Sequence, residues 1–576
     1  WLASSPEIPG IVDAILAGTG AVPAATLVDY VRGGLFADIE ACASSTELSG
    51  DGLAERLAEG AILPMYGMPS RVRLLYHGLR GREALAIDRD LDLAITEFAP
   101  GSQKTKDKRV YTAIGFTAPL LPDPSWHPVT DNPFPRRMWM ARCVQCHYIE
   151  TGNAQPAMQN CPSCGSSRGD DESALFRVFE IVVPSAFRTS FSNGVDAKAD
   201  DEFLPRGTSS VAERTDQLPV VVLGTNTGLI PTSGSHVYRV NDRAGRLFTG
   251  GMGSARWRQG GVTLSHQWID ERYQNVRGDN NVMFNADAGP ADTIALAAPK
   301  VTDVLRIRPH TVNPTLCFDM LPRDAQGRVS RFGQGAAVKA TYYSAAFILR
   351  AAIAETLDID PEEIDISNVR AVELEDGTRA GEIIINDHLE NGAGFTAWAS
   401  QGDNWRLILG KITHPNSEPD SFIEKLLSDA HVKECNDSCY DCLRLYRNMS
   451  YHGLLDWRLG MSALRVLADP AYLCGANGDF SSPELAGWLA FAGMLRDTFC
   501  ESFRSCVPAE FGPLHGWTVA GRNVILAHPL WHQYTSGGLL AVARASLSQD
   551  QDNSVHIVDT FNLHRRMSWI YQRLGT

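Results

Sequence analysis

The stretch AAVKATYYSAAFILRAAIAETL, residues 336–357, carries the clearest structural signal in this sequence. Its apolar residues recur at helical spacing from end to end, which predicts one long helix. Two β-type runs follow at residues 369–374 and 381–386, and Asp376-Gly377 between them is a strong signal for the turn of a β-hairpin. A long helix followed by a hairpin predicts mixed α/β structure in this part of the chain.

The segments on either side extend this mixed pattern. Upstream, residues 175–340 are β-rich and heavily punctuated by glycine, whereas residues 1–80 have the composition of helices joined by short loops. Downstream, residues 453–466 and 484–503 have helical spacing, and residues 524–569 alternate short strands and loops. We therefore expect a multidomain protein of the α/β class (mixed α+β), with two small zinc-binding modules that are described below.

The composition excludes several classes of protein. The chain has 576 residues, of which 44% are apolar and 21% charged, so collagen, coiled coil and wholesale disorder are excluded. The longest apolar run, residues 485–495, is too short to span a bilayer, so we expect no membrane association. The net charge of −15 argues against an all-round basic coat for nucleic acid, but it allows a local basic channel. Because the chain begins at Trp1, we expect a fragment or the ordered part of a longer protein.

Seven of the twelve cysteines fall into two tight clusters, which in a chain of this type indicates metal ligands and a reducing cytoplasm. Four thiolates in two such knuckles match tetrahedral zinc with Zn–S bonds of about 2.3 Å, and a closed set of four is structural. Four unrelated buried thiols, or a redox pair, fit this spacing poorly, and the adjacent His147 is surplus. The first cluster consists of two CxxC pairs with fourteen residues between them, Cys143-Val-Gln-Cys146 and Cys161-Pro-Ser-Cys164.

The second cluster supplies three thiolates within eight residues, and zinc then requires a fourth ligand. His431 lies four residues upstream and His452 ten residues downstream, and Cys474 is a third candidate. Of the three, we prefer His452. An iron–sulfur cluster is a minority alternative, and a small buried loop whose histidines cap helices is the non-metal alternative. The three thiolates belong to Cys435, Cys439 and Cys442.

Motifs for catalysis are absent from the sequence. It contains no GxxxxGK[ST] phosphate-binding loop, no HExxH and no GxSxG. Residues 391–394 (NGAG) follow a strand and precede a predicted helix, a geometry that can bind phosphate, although a tight strand–helix connection is the commoner explanation. Asp387, His388 and Glu390 beside them are the best candidates for a nuclease whose active site is dispersed in the sequence.

Two groups of basic and aromatic residues are candidates for contact with DNA. Residues 85–95 (LAIDRDLDLAI) alternate in polarity and predict a strand, and the basic run at residues 102–109 predicts a surface loop. Solvated loops explain most such charge runs, and residues beside a zinc knuckle also serve to pack it. The candidates are Lys104, Lys106, Lys108 and Arg109 in the basic run, and Arg444, Tyr446 and Arg447 directly after the second cluster.

Residues 435–457 (CNDSCYDCLRLYRNMSYHGLLDW) and 386–395 (NDHLENGAGF) resemble the zinc-binding domain of unknown function attached to superfamily-two DNA helicases of the MrfA type. From about residue 75 onward, most of the chain is similar to the DrmB family, the helicase-associated subunits of DISARM phage-defence systems. Residues 88–102, 300–309 and 558–569 add to this similarity. Many helicase-fused relatives carry a fourth cysteine shortly after the CxxC. The equivalent place in this chain is near Asn448, where there is no cysteine, so the identity of the fourth ligand is undecided.

The resemblance implies a partner, a DrmA-like superfamily-two helicase that supplies the motor and the ATP site. It also implies a heterodimer that holds DNA in a shared channel and restricts invading phage DNA, with methylation protecting self DNA. We therefore predict a non-catalytic, DNA-binding, antiviral subunit with two zinc ions and no enzymatic activity of its own. The alternatives are the dispersed nuclease and an assembly scaffold that never touches nucleic acid.

Together, the patterns and the resemblance predict five regions along the chain. They are an N-terminal α/β region (1–130), a zinc ribbon (131–175), a β-rich domain (176–340), a helicase-associated α/β domain with the second zinc site (341–470) and a C-terminal α/β region (471–576).

Overall fold

The structure is a computed structural model of the chain. It describes residues 1–16, 23–44, 53–60, 62–63, 71–122, 125–191, 194–196, 209–257, 262–274, 282–323, 331–375, 377–414, 420–547 and 555–575.

The described part of the chain is mixed α/β, as predicted, and begins with four short helices. Helices α2 and α3 have no fully buried residue, so little apolar surface holds them to the rest of the protein. The four helices are α1 (Ile8–Leu16), α2 (Ala24–Gly33), α3 (Leu35–Ser44) and α4 (Leu53–Glu59).

Eighteen of the first twenty described strands are linked by hydrogen bonds into one large mixed sheet, and β5 and β6 form a separate small pair. The strands are β1 (Val72–Arg80), β2 (Glu83–Asp90), β3 (Gln103–Lys106), β4 (Arg109–Thr117), β5 (Leu120–Leu121), β6 (His127–Pro128), β7 (Arg136–Cys143), β8 (Ile149–Gly152), β9 (Phe176–Val183), β10 (Ala186–Thr189), β11 (Val195–Asp196), β12 (Ser209–Ala212), β13 (Val220–Val221), β14 (Thr227–Asn241), β15 (Phe248–Trp257), β16 (Thr263–Asp270), β17 (Val282–Ala286), β18 (Asp292–Pro309), β19 (Ile364–Glu373) and β20 (Arg379–Asp387).

Strand β18 is the centre of this sheet. Over its 18 residues it pairs antiparallel with β14, β15 and β20, and parallel with β9. Through β9 it reaches β7 and β8 of the first cysteine region, and through β20 it reaches β19. Strands from the first four predicted regions therefore share one sheet, and the division into five regions stays a prediction.

The remaining elements are helices and a second sheet of four strands, in which β21 to β23 are antiparallel and β24 is parallel to β23. The strands are β21 (Cys506–Phe511), β22 (Leu514–Val519), β23 (Arg522–Ala527) and β24 (His556–Asp559). The helices are α5 (Leu91–Glu97), α6 (Glu271–Gln274), α7 (Gln334–Leu357), α8 (Phe395–Ala399), α9 (Gly402–Thr413), α10 (Phe422–Leu426), α11 (Asp429–Glu434), α12 (Trp457–Ala468), α13 (Trp488–Ser502), α14 (Gly538–Ala545), α15 (Thr560–Arg565) and α16 (Met567–Leu574).

Helix α7 covers the predicted stretch and lies in the core. Sixteen of its 24 residues are buried, so the helix is enclosed on most sides and has no solvent-exposed face along its length. Tyr342 fixes it to the sheet, because its hydroxyl donates to the carbonyl of Phe318 at 3.1 Å and accepts from the Gly381 amide at 2.7 Å. The hairpin that follows is β19 and β20, paired antiparallel, and Asp376 of its turn lies outside the described residues.

Helix α12 crosses α7 at very short distance. A Cβ atom built on Gly460 would lie 2.8 Å from the carbonyl carbon of Ser344 and 2.9 Å from the nitrogen of Ala345. The Asp456 amide, just before α12, donates to Ser344 Oγ at 2.8 Å. The two helices therefore meet backbone to backbone, and only glycine fits at the crossing.

Two local predictions were wrong. The predicted strand over residues 85–95 ends at Asp90, whose side chain accepts from the Asp92 amide and caps helix α5, so its second half is helical. The predicted loop over residues 102–109 is the hairpin of β3 and β4. Asp107 and Lys108 both adopt positive φ in its turn, a conformation that matches the twist of paired strands. Strand β3 can be polar because it lies largely exposed, whereas most of β4 is buried.

Among the described helices, none combines the length and the apolar composition that crossing a bilayer requires.

We expect Gly460→Ala to lower the free energy of unfolding by about 1–3 kcal/mol, because the new methyl group has to push α12 away from α7. Gly410→Ala in α9 is the matched control, since its Cβ meets nothing within 4 Å, and it should stabilise the chain by up to about 1 kcal/mol. Urea unfolding of both variants measures the difference. Equal effects of the two substitutions would contradict the close crossing.

Candidate metal centres

The first centre brings together the two CxxC pairs. The Sγ atoms of all four cysteines lie within 4.8 Å of one another, and all four side chains are buried. The sulfurs of Cys143 and Cys164 are 3.6 Å apart, and those of Cys146 and Cys161 are 3.5 Å apart. Tetrahedral zinc with Zn–S bonds of about 2.3 Å spaces its sulfurs by about 3.8 Å. The cluster therefore fits one zinc ion with a closed set of four thiolates.

Local backbone bonds build the two knuckles of this centre. Strand β7 ends at Cys143, whose amide donates to the Tyr148 carbonyl at 2.9 Å. In the second knuckle, the Gly165 amide donates to the Cys161 carbonyl at 2.9 Å, and Gly165 has a φ of 76°. Such a positive φ is easy only for glycine, so glycine after the second CxxC allows the turn to close.

The thiols of this centre strongly affect one another's pKa values through hydrogen bonds. Hydrogen bonding to Cys143 and Cys146 lowers the pKa of Cys161 to about 4, whereas hydrogen bonding to Cys143 and Cys161 raises the pKa of Cys146. Burial opposes several thiolates in so small a volume. A divalent cation removes this conflict, because coordinated thiols lose their protons.

His147 lies outside the ligand set, as predicted, and contacts helix α7 instead. Its Nε2 is 2.7 Å from Lys339 Nζ, which donates to the neutral imidazole. Burial lowers the pKa of His147 well below its usual range and lowers the pKa of Lys339 to about 8. The pair ties the first centre to the middle of the core.

The second centre contains the three predicted cysteines and His431. The ligand atoms of these four residues lie within 4.8 Å of one another. Cys439 Sγ is 3.6 Å from Cys442 Sγ and 3.5 Å from His431 Nε2, and Cys435 Sγ is 4.0 Å from Cys442 Sγ. Hydrogen bonding to Cys435 lowers the pKa of Cys442 to about 5. This cluster fits a second zinc ion, bound by three thiolates and one imidazole.

The ring of His431 is oriented for such a role. Its Nδ1 lies 2.7 Å from the Leu426 carbonyl oxygen, so Nδ1 carries the proton and Nε2 is left with its lone pair toward the sulfurs. Zinc-binding histidines generally donate their other ring N–H in this way. The ring also packs against the Trp457 indole, with 5.4 Å between centroids.

The preference for His452 is therefore corrected to His431. His452 Nε2 lies 3.0 Å from the Leu445 carbonyl and 2.9 Å from Asn448 Oδ1, away from the thiols. Cys474, the third candidate, is buried elsewhere, where its carbonyl accepts from the Trp531 indole. The sequence held a signal for His431 that we did not use: Ser428 caps helix α11, and His431 and Cys435 are one helical turn apart.

Contacts from distant parts of the chain hold the second centre in place. The Trp457 indole donates to the Cys435 carbonyl at 3.0 Å, and the Trp457 amide donates to the Asp437 carbonyl at 2.8 Å. Arg565 Nη2 lies 3.2 Å from Asp437 Oδ2. Sequence reasoning missed Arg565, because nothing in the chain signals a contact across 128 residues.

The three nuclease candidates occupy structural positions. Asp387 is buried, and its carboxylate accepts from the amides of Ala393, Phe395 and Thr396 at 2.7, 3.1 and 2.9 Å. The chain's own carboxylate therefore fills the amide nest at residues 391–396 that a phosphate would need. His388 Nδ1 lies 3.1 Å from Asp365 Oδ2, a hydrogen bond that raises the pKa of His388, and Glu390 lies 3.9 Å from Arg71 Nε. The three residues do not converge on one point.

The predicted basic residues of the run at 102–109 lie in the β3–β4 hairpin. Lys104 pairs with Glu97, and Lys106 Nζ lies 3.2 Å from the Ala86 carbonyl. Lys108 lies in the turn of the hairpin and Arg109 begins β4, and both side chains are exposed.

Near the second centre, Arg444 donates to Ser438 Oγ at 2.9 Å and lies 3.5 Å from Asp437, so it stabilises the knuckle. Tyr446 is 76% exposed, and the side chain of Arg447 lies outside the described residues. Contact of any of these residues with DNA stays a prediction.

Comparison with known proteins finds similarity to a curated protein and to a solved structure, and no protein-family model matches the chain. The chain is 22% identical over 455 residues to the Druantia protein DruE of Escherichia coli (strain UMEA 4076-1), which covers 74% of this chain and 22% of the relative. It therefore spans about a fifth of the length of that protein. The crystal structure of the DUF1998 helicase MrfA bound to DNA covers 71% of this chain and 35% of the other, with 8% identity and a TM-score of 0.31. At that TM-score, the likeness defines neither fold nor function.

We expect the purified chain to contain two zinc ions and Cys146→Ser to contain one. Because a structural zinc site contributes its binding energy to folding, this variant should also melt at a lower temperature. Elemental analysis and thermal melting measure the two effects. Cys42→Ser, outside both clusters, is the control. Unchanged zinc content in Cys146→Ser would exclude a structural zinc at the first centre.

At the second centre, we expect His431→Ala to lose one zinc ion and His452→Ala to keep both. His431→Cys should also keep both, since four thiolates form an equally good zinc site. Elemental analysis of the three variants distinguishes a ligand from a residue that only packs against Trp457. The reverse pattern, with metal lost in His452→Ala, would restore the first assignment.

Proposed function

We propose that this chain is a non-catalytic subunit of an anti-phage restriction complex, in which it pairs with a superfamily-two DNA helicase and helps to hold DNA. The similarity to the Druantia protein DruE supports a place among phage-defence, helicase-associated proteins. Within that group, the sequence resemblance favours the DrmB type of DISARM systems, with a DrmA-like helicase as the partner. The two zinc-compatible clusters agree with the zinc-binding domain that this resemblance implies.

The observation that carries the proposal is the surface of the second metal centre. Four apolar or aromatic side chains within fifteen residues of Cys435 are exposed, although side chains of this kind are usually covered. Tyrosine rings can stack on nucleic-acid bases, and neighbouring aliphatic side chains suit a protein partner. The four are Tyr440, Leu445, Tyr446 and Met449, exposed by 69, 41, 76 and 46%.

The sequence agrees with a division of labour between two proteins. This sequence contains no phosphate-binding loop for ATP, which agrees with a motor outside these residues, in the proposed helicase. The net charge of −15 disfavours DNA binding by the whole surface, so DNA contact is local and is strengthened in the shared channel. None of the twelve cysteines, all of which lie among the described residues, forms a disulfide, which agrees with the proposed reducing cytoplasm.

The geometry disfavours the nuclease alternative. A metal-dependent nuclease needs carboxylates that are free to bind a cation, whereas both oxygens of Asp387 are engaged by backbone amides. The remaining alternative is a scaffold that does not contact DNA, and the experiment has to distinguish this scaffold from a DNA-binding subunit.

We expect the chain to bind single-stranded DNA weakly when alone and more tightly with its helicase, with affinity that falls as salt rises. Tyr446→Ala should weaken DNA binding by about 1–3 kcal/mol, the usual value of one stacked base. Tyr534→Ala is the control, since that side chain is 50% exposed and lies far along the chain from the knuckle. Fluorescence anisotropy with labelled DNA, across a salt series, measures the DNA affinity of the wild type and of the two variants.

Two results would contradict the proposal. If the helicase binds this chain and neither Tyr446→Ala nor salt changes DNA affinity, the chain is a scaffold. If the isolated chain cuts DNA when magnesium is added, it is a nuclease.

A further inference from the structure

A basic cavity lies where the first metal centre meets the large sheet. Its volume is about 350 Å³, and it is open on one side. One wall comes from the two knuckles, a second from the β19–β20 hairpin, and a third from β18 and the segment before β13. The residues that carry its chemistry are Tyr148, Ser163, Arg214, Arg308, Arg370 and Arg379.

The charge of this cavity is opposite to that of the chain. Four arginines line it together with two carboxylates, Glu373 and Glu382, and Asp216 beside the lining pairs with Arg214 at 3.3 Å. The whole chain carries a net charge of −15, so a net positive charge in one small space is a local concentration. A concave site with low-dielectric walls focuses such a field on an anion.

A buried carboxylate holds two of these arginines in position. Glu382 is only 1% exposed, and its carboxylate lies 2.9 Å from Arg370 Nη2 and 4.0 Å from Arg308 Nη1. Arg370 is itself 8% exposed, so burial and its ion pair with Glu382 hold its guanidinium in one position at the cavity wall. Fixed guanidinium groups lose little conformational freedom when they bind an anion.

The first metal centre shapes the facing wall. Ser163 stands between Cys161 and Cys164, and its carbonyl accepts from Arg379 Nη2 at 3.3 Å. The Ala371 amide of β19 donates to the Cys146 carbonyl at 3.1 Å. One backbone bond and one side-chain bond therefore join the knuckles to the hairpin, so metal at the first centre would help to fix the position of the arginines.

We propose that this cavity binds a phosphoryl group of the DNA backbone. The inference rests on the proposed DNA-binding function and gives it a second, independent contact site beside the aromatic surface of the second centre. Planar guanidinium groups match the geometry of phosphate oxygens and form paired, charge-assisted hydrogen bonds with them. A free nucleotide offers the same phosphoryl chemistry, so the experiment includes it as a separate arm.

The test uses the full chain with single-stranded DNA and the variants Arg308→Gln and Arg379→Gln, which spare the buried Arg370–Glu382 pair. Each variant should weaken binding and reduce the slope of log affinity against log salt by about 0.7, the value for one phosphate contact on a single strand. Arg246→Gln is the matched control, because Arg246 is exposed and pairs with Glu172 outside the cavity. Zinc content should match the wild type in all three variants, and melting temperature should match it in Arg308→Gln and Arg246→Gln. Arg379→Gln also loses its bond to the Ser163 carbonyl, so a small fall in melting temperature is expected for that variant.

Competition with ATP and with pyrophosphate separates the sources of the phosphoryl group. If ATP or pyrophosphate displaces DNA only at millimolar concentrations, the result supports a site for the DNA backbone. Displacement at micromolar concentrations, lost in Arg308→Gln, would assign the cavity to a free nucleotide and overturn the DNA assignment.

The measurements distinguish failure of the proposed function from failure of the proposal that the cavity binds phosphate. DNA binding with wild-type slope in well-folded Arg308→Gln and Arg379→Gln would overturn the cavity and leave the function intact. If wild-type chain binds no DNA, alone or with the helicase, both the function and the DNA assignment fail. A rise in melting temperature with pyrophosphate that requires Arg308 would then establish a different anion site.

Discussion

The backbone crossing of α12 over α7 is the constraint on which both metal centres depend. At the crossing, Gly460 leaves no room for a side chain against Ser344, and Ser344 Oγ accepts from the amide of Asp456. One residue later, Trp457 begins α12 and donates to the Cys435 carbonyl of the second centre. A shift of α12 by the width of a methyl group would therefore move the scaffold of the second knuckle.

Helix α7 also reaches the first centre, from the other direction. Lys339 contacts His147 beside the CxxC pair, and Tyr342 bonds to the Gly381 amide of the hairpin that packs on the knuckles. Both clusters thus rest on one buried helix, although about 290 residues separate their first cysteines. Close packing in a core transmits such constraints, because displaced side chains find no empty volume to enter.

The two clusters are closed, so their chemistry is structural, and the surfaces for binding lie next to them. Exposed tyrosines flank the second centre, and arginines held by Glu382 face the first. In an acidic chain, such local surfaces decide where a polyanion can approach. The arrangement also explains why the amide nest at residues 391–396 has no role in phosphate binding, since Asp387 already occupies it.

The sequence alone determined the features whose partners are close together in the chain. The CxxC spacings predicted both clusters, and the apolar period predicted α7, because ligands and helix faces a few residues apart follow from local geometry. Tertiary structure decided the rest. His431 and His452 were both within reach of the thiols by spacing, and the direction of α11 and the Leu426 carbonyl selected His431. The arginine cavity joins residues 148 to 382, and no local pattern signals it, since long-range packing alone brings its walls together.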